Sequence, residues 1–105
     1  MSNRKAKFQV GEIIHHRLFD YLGVVFDVDP VFSATDAWYD QVARSRPPKD
    51  EPWYHVLVDQ AGHTTYVAEQ NLQSTDQPQP IRHPLVDDYF SGFDGKRYTS
   101  SRRVN

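Results

Sequence analysis

Asp27 and Asp29 stand two residues apart in the segment VVFDVD, residues 24–29. On a strand, residues i and i+2 point to the same side, so the two carboxylates converge. Paired carboxylates can run general acid–base chemistry or hold a divalent cation. The same alternation places Val24, Phe26 and Val28 on an apolar face and Val25, Asp27 and Asp29 on the outer one. Asp29 also precedes Pro30, where an Asx-type turn is ordinary. A solvated face ending in a turn is therefore the simpler reading. The histidines are His15, His16, His55, His63 and His83. His15 and His16 are adjacent and face opposite sides, while His55 and His63 flank a hairpin turn and can pair across it. Neither spacing makes three or four ligands converge, so neither a metal nor a cofactor is expected. The chain has no Gly-x-Ser-x-Gly elbow and no glycine-rich phosphate loop. Ser33, Ser45 and Thr64 have no recognisable partner pattern. The expectation is a protein that is not an enzyme.

Aromatic residues carry more information. Trp38, Tyr39, Trp53, Tyr54 and Tyr66 crowd the middle third. Trp53 and Tyr54 are neighbours on a strand and face opposite sides, so at least one is expected near the surface or under a covering element. Exposed aromatics on a small β domain mark peptide or base-stacking sites. Trp38, Trp53, Tyr54, His55, Asp27 and Asp29 form the candidate partner-binding set. The structural alternative is packing of one element on another through Trp38 and Trp53.

The formal charge is −2, unevenly spread: residues 1–8 carry +3, residues 9–75 carry −6 and residues 76–105 carry +1. Phosphate binding relies on clustered Lys and Arg. A nucleic-acid surface is therefore sought at the ends, in Lys5, Lys7, Lys96, Arg97, Arg102 and Arg103; solvation of the ends is the alternative.

These residues need elements to position them. VGEIIHH (10–16) reads as a strand after a turn at Gly11, and VVFDVD as a second that ends at Pro30. SATDAWYDQVARSR (33–46) reads as one short helix with Ser33 at its start, since Ala34, Trp38 and Val42 recur at one-turn spacing. PPKDEP (47–52) breaks it. WYHVLV (53–58) and HTTYVA (63–68) form a hairpin around Asp59–Gly62. EQNL (69–72) reads as a tight helical turn that plugs Leu72 into the core, and QSTDQPQP (73–80) as a polar linker. HPLVDDYF (83–90) holds one amphipathic helical turn, and GFDGKRYTSSRRVN reads as mostly irregular. The fold expected is mainly β. Four strands form a small β-barrel over residues 9–75, the helix at 33–46 is inserted over one opening, and a basic tail (1–8) and a loosely structured C-terminal extension (76–105) flank it. Unpaired strand edges make homo-oligomerisation a further expectation.

Composition excludes several classes. At 105 residues the chain has room for one small domain. It has no cysteine, so disulfide scaffolds, thiol catalysis and cysteine zinc sites drop out. No run of about 18 apolar residues is present, so no membrane span is expected. The basic residues near Met1 lack the apolar stretch of a secretory signal. The expected compartment is a reducing cytoplasm.

Four blocks carry a resemblance: HRLFDYLGVVFDVDP (16–30), PWYHVLV (52–58), YVAEQNL (66–72) and IRHPLVDDYF (81–90). Together they resemble the HspQ heat-shock protein family, also described as the YccV-like hemimethylated-DNA-binding family, over residues 8–90. The resemblance implies an SH3-like barrel in the bacterial cytoplasm. It implies two binding activities and no catalytic residues. One is a stress-response role in which the protein modulates degradation of denatured proteins, the replication initiator among them, by the Lon protease. The other is binding of hemimethylated DNA. The acidic body favours the protease adaptor as the first expectation, and the basic ends keep the DNA-binding module as its rival.

Overall fold

The alternating apolar stretches around Val24 and Val56 build two central strands, and everything else is arranged to cover them. The computed structural model describes residues 6–101. In chain order its elements are β1 (Ile13–His16), β2 (Leu22–Asp29), α1 (Asp36–Val42), β3 (Trp53–Val58), β4 (Thr64–Ala68), a 3-10 turn (Glu69–Asn71), β5 (Leu72–Ser74), α2 (Val86–Tyr89), β6 (Phe90–Phe93) and β7 (Tyr98–Ser100). The molecule is mainly β. Five strands form one antiparallel sheet in the order β4-β3-β2-β1-β5, and β6 pairs with β7. Among the described residues no ladder joins β4 to β5, so the sheet is open where a closed barrel was expected. The 3-10 turn carries the chain between the two outer strands, and the three residues of β5 reach β1 alone.

Both faces of the sheet are buried. Phe8, Ile14, Val25, Tyr54, Val56, Val67 and Leu72 fill one side. Ile13, Val24, Leu57, Ile81, Phe90 and Tyr98 fill the other. Val25, expected outside, is in the core because the second face is covered as well, and Val28 joins it there because β2 is bulged. Val25 lies opposite Val56 and Asp27 opposite His55, so Phe26 is the extra residue. The bulge resets the alternation: Phe26 packs with Val24 on one face, and Val28 with Val25 on the other.

The C-terminal segment is ordered into β6 and β7 rather than irregular. Its sequence has no unbroken apolar alternation, but Ile81, Phe90 and Tyr98 cover a sheet face that would otherwise be bare. The Tyr98 hydroxyl accepts from the Ile81 N–H at 2.8 Å. The expected N-terminal tail likewise gives way early: Phe8 is buried, and its N–H donates to the Tyr54 hydroxyl at 3.3 Å. The helix is shorter than 33–46. Thr35, not Ser33, caps it, its hydroxyl accepting from Trp38 N–H at 3.1 Å. Leu72 is buried after its turn, as expected, but the following residues continue as β5 instead of a linker.

Candidate functional site

A groove of about 810 Å³ runs along β4, the outer strand of the sheet. One wall is the turn between β1 and β2, which presents Leu18 and Phe19. The other is α1 with the residues after it, which presents Trp38, Val42 and Arg44. Leu18, Phe19 and Val42 are 60%, 75% and 55% exposed, an unusual amount of apolar surface for three neighbouring positions in so small a domain.

Each wall is fixed by identifiable contacts. On the turn, the His16 Nδ1 accepts from the N–H groups of Leu18 and Phe19, both at 3.1 Å, and its ring lies against Phe19 and Tyr21. Burial lowers the His16 pKa below the ordinary histidine value, and His15 adds to the effect. Asp20 closes the turn in the left-handed region, at φ 55°. On the other wall, Tyr39 and Ala43 seat α1 on Trp53 and Ala68, with Phe32 and Trp38 packed around them. The Tyr39 hydroxyl donates to the Pro47 carbonyl at 2.6 Å, and Trp53 Nε1 donates to the Pro48 carbonyl at 3.0 Å. PPKDEP is thereby a brace for the helix as well as its terminator.

The expected partner set divides. Trp38 and His55 line the groove and are partly exposed. Trp53 and Tyr54 are both buried, and of the two placements expected, near the surface or under a covering element, Trp53 takes the second. Trp53 sits under α1. Tyr54, on the opposite face, donates its hydroxyl to the buried Glu69 at 2.5 Å, and Glu69 also accepts from the Lys7 N–H at 2.9 Å. Burial, then the bond to Glu69, pushes the Tyr54 pKa up.

Asp27, Asp29 and His55 do converge, with one potential ligand atom of each within 4.8 Å of the others. Asp29 is committed internally. Its Oδ2 accepts from the Tyr66 hydroxyl at 2.7 Å and lies 3.1 Å from His55 Nε2. Burial and the Asp29 carboxylate push the Tyr66 pKa up to about 12. Asp27 caps the N–H of Val28 at 2.9 Å and is otherwise exposed. This cluster ties β2 to β3 and β4 beside the groove.

Of the basic candidates, Lys7 and Lys96 are exposed. Arg97 is half-buried and is held by Gln9 Oε1 at 3.1 Å and the Val10 carbonyl at 3.2 Å. Lys5, Arg102 and Arg103 lie outside the described residues. The family described as hemimethylated DNA-binding protein YccV like matches residues 6–97. The chain belongs to the YccV-like family. The match spans β1 through the hairpin turn before β7, so the groove, the Asp27–Asp29–His55 cluster and the Arg97 contacts all lie within the family domain. No helix in the described residues is long and apolar enough to cross a membrane.

Sequence reading missed Leu18, Phe19 and Val42. A signal was present: Leu18 and Phe19 are large apolar residues inside a turn, where burial is hard to arrange.

Proposed function

We propose that this YccV-like protein is a non-enzymatic, cytoplasmic stress-response adaptor that binds unfolded segments of denatured proteins and promotes their degradation by the Lon protease. The observation that supports this reading is the open apolar groove along β4, walled by exposed Leu18, Phe19 and Val42. Unfolded chains differ from folded ones by displaying apolar side chains, and a groove of this size and character offers those side chains a place to bury. The resemblance to the HspQ family supplies the protease.

The test is degradation of a chemically denatured client by Lon with and without the protein. Acceleration by the wild type, reduced at least fivefold in Phe19→Ser, is the expected result. Phe19 is so exposed that this variant retains its fold. Equal acceleration by both proteins, or none by either, removes the reading.

The family match favours a second reading, recognition of hemimethylated duplex DNA. Its cations would be Lys7 and Lys96 of the described residues with Lys5, Arg102 and Arg103. Anisotropy titrations with unmethylated, hemimethylated and fully methylated duplexes at two salt concentrations decide it. Preference for the hemimethylated duplex, with an affinity that falls steeply with salt and weakens in Arg102→Ala/Arg103→Ala, makes DNA the primary ligand. Equal weak binding to all three leaves the adaptor reading standing.

A further inference from the structure

The floor of the groove is a strand edge. Side chains from both faces of β4 line it: Thr65 and Val67 on the side of Tyr21, Tyr66 and Ala68 on the side of α1. An opening lined by both faces of one strand must lie over that strand's own backbone. The hydrogen-bonding phase follows from the ladder. Glu69 N–H donates to the Pro52 carbonyl at 3.1 Å, and β4 pairs with β3 in the register Ala68 opposite Trp53, Val67 opposite Tyr54. In an antiparallel pair, alternate residues exchange both bonds. Val67 and Thr65 therefore bond to β3, and the N–H and C=O groups of Thr64 and Tyr66, with the Ala68 N–H, point into the groove, while the Ala68 carbonyl serves the first bond of the 3-10 turn. Among the described residues no backbone group takes those that point into the groove.

Charge selects the occupant. The segment from residue 9 to 75 carries −6, yet no carboxylate lines the groove, and Arg44 supplies its fixed charge. Asp36 and Asp40 of α1 are paired with Lys49 at 3.1 Å and Arg46 at 2.9 Å. One arginine is too little for a phosphate backbone. It complements an apolar segment that carries a single carboxylate near one end.

We propose that the outer edge of β4 takes an extended apolar segment of an unfolded polypeptide as a sixth strand, its backbone paired with Thr64, Tyr66 and Ala68 and its side chains seated alternately against Phe19 and against Trp38 and Val42. This deepens the adaptor reading above and rests on it. Main-chain pairing recognises extended chain irrespective of sequence, and the two walls add the preference for apolar side chains. Such a device distinguishes unfolded from folded protein by backbone availability.

The test uses the full chain, ¹⁵N-labelled, and an eight-residue probe peptide of alternating leucine and threonine ending in aspartate. Amide hydrogen exchange is followed residue by residue. Saturating peptide is expected to slow exchange at Thr64, Tyr66 and Ala68 at least tenfold and to leave Thr65 and Val67, already paired, unchanged. Ala68→Pro supplies the second measurement. Ala68 has φ −68°, which proline adopts without backbone strain, so the variant removes one outward N–H while adding ring carbons beside Trp53. It is expected to bind the peptide at least tenfold more weakly while Thr65 and Val67 keep the slow exchange of the folded sheet. Peptide binding with no slowing at those three amides, and equal affinity in Ala68→Pro, overturns the strand-addition proposal while leaving a groove that binds unfolded chains. Protection of the three amides without peptide, in a dimer that Ala68→Pro dissociates, also overturns it and assigns the edge to a second copy. Failure of the wild type to bind the peptide and to accelerate client degradation removes both.

Discussion

Trp53 shows how residue-level reading succeeds and fails. Sequence spacing correctly put Trp38 and Trp53 in packing reach, with ring centroids 6.0 Å apart. It also required Trp53 or Tyr54 to lie near the surface or under a covering element, and Trp53 lies under α1; the cover over Tyr54 on the other face was not read. Here both faces are covered, and both residues lie in the core. The consequence is measurable. Trp53→Ala should cost about 3–5 kcal/mol by denaturant unfolding, the penalty of a large buried truncation, whereas Phe19→Ser at the rim should cost under about 0.5 kcal/mol. Near-equal costs would mean that the packing around Trp53 is wrongly assigned. Asp27, Asp29 and His55 were legible as neighbours of a site. The bond from Tyr66 to Asp29 was not, since β4 reaches β2 only through β3.

At the scale of elements, the strands and the helix were legible because their periodicities differ, and their ends were not. Thr35 and not Ser33 caps the helix: the Ser33 hydroxyl is turned back to donate to the Val31 carbonyl at 3.0 Å, and its N–H is held by the Tyr66 hydroxyl at 2.9 Å, a contact between residues far apart in sequence. The β1–β2 turn has its own titration. His16 holds it as a neutral acceptor for Leu18 and Phe19, with a pKa below the ordinary value near 6.5. The unfolded chain therefore takes up this proton first. The contribution of His16 is complete above about pH 6.5 and declines as pH falls toward the lowered native pKa. The melting temperature should fall between pH 7 and pH 5, and groove binding should weaken with it as the Phe19 wall loosens. His16→Asn, which keeps an acceptor and removes the titration, should flatten its share of both slopes. An undiminished slope in that variant would place the effect on another group.

At the scale of the whole molecule, the least legible feature was the cover on the second face. Nothing in GFDGKRYTSS alternates well enough to announce a hairpin. Tyr98 earns its place only because the sheet beneath it is already apolar on that side. Gly11 is the joint between the two. It has φ 94°, its carbonyl accepts from the Tyr98 N–H at 2.8 Å, and a Cβ there would lie 2.2 Å from the Tyr98 carbonyl oxygen. Gly11→Ala combines that collision with left-handed strain and should cost at least about 1–3 kcal/mol, a drop of roughly 4–8 °C in melting temperature per kcal/mol. A variant that melts with the wild type would show that the hairpin does not pack there. The same joint sets the order of events during synthesis. Arg97 meets Val10 across 87 residues of chain, so contacts that seal the sheet form only after the whole segment between them has left the ribosome. Until then the nascent protein displays the kind of apolar surface that the finished one, in the adaptor reading, is built to recognise in others.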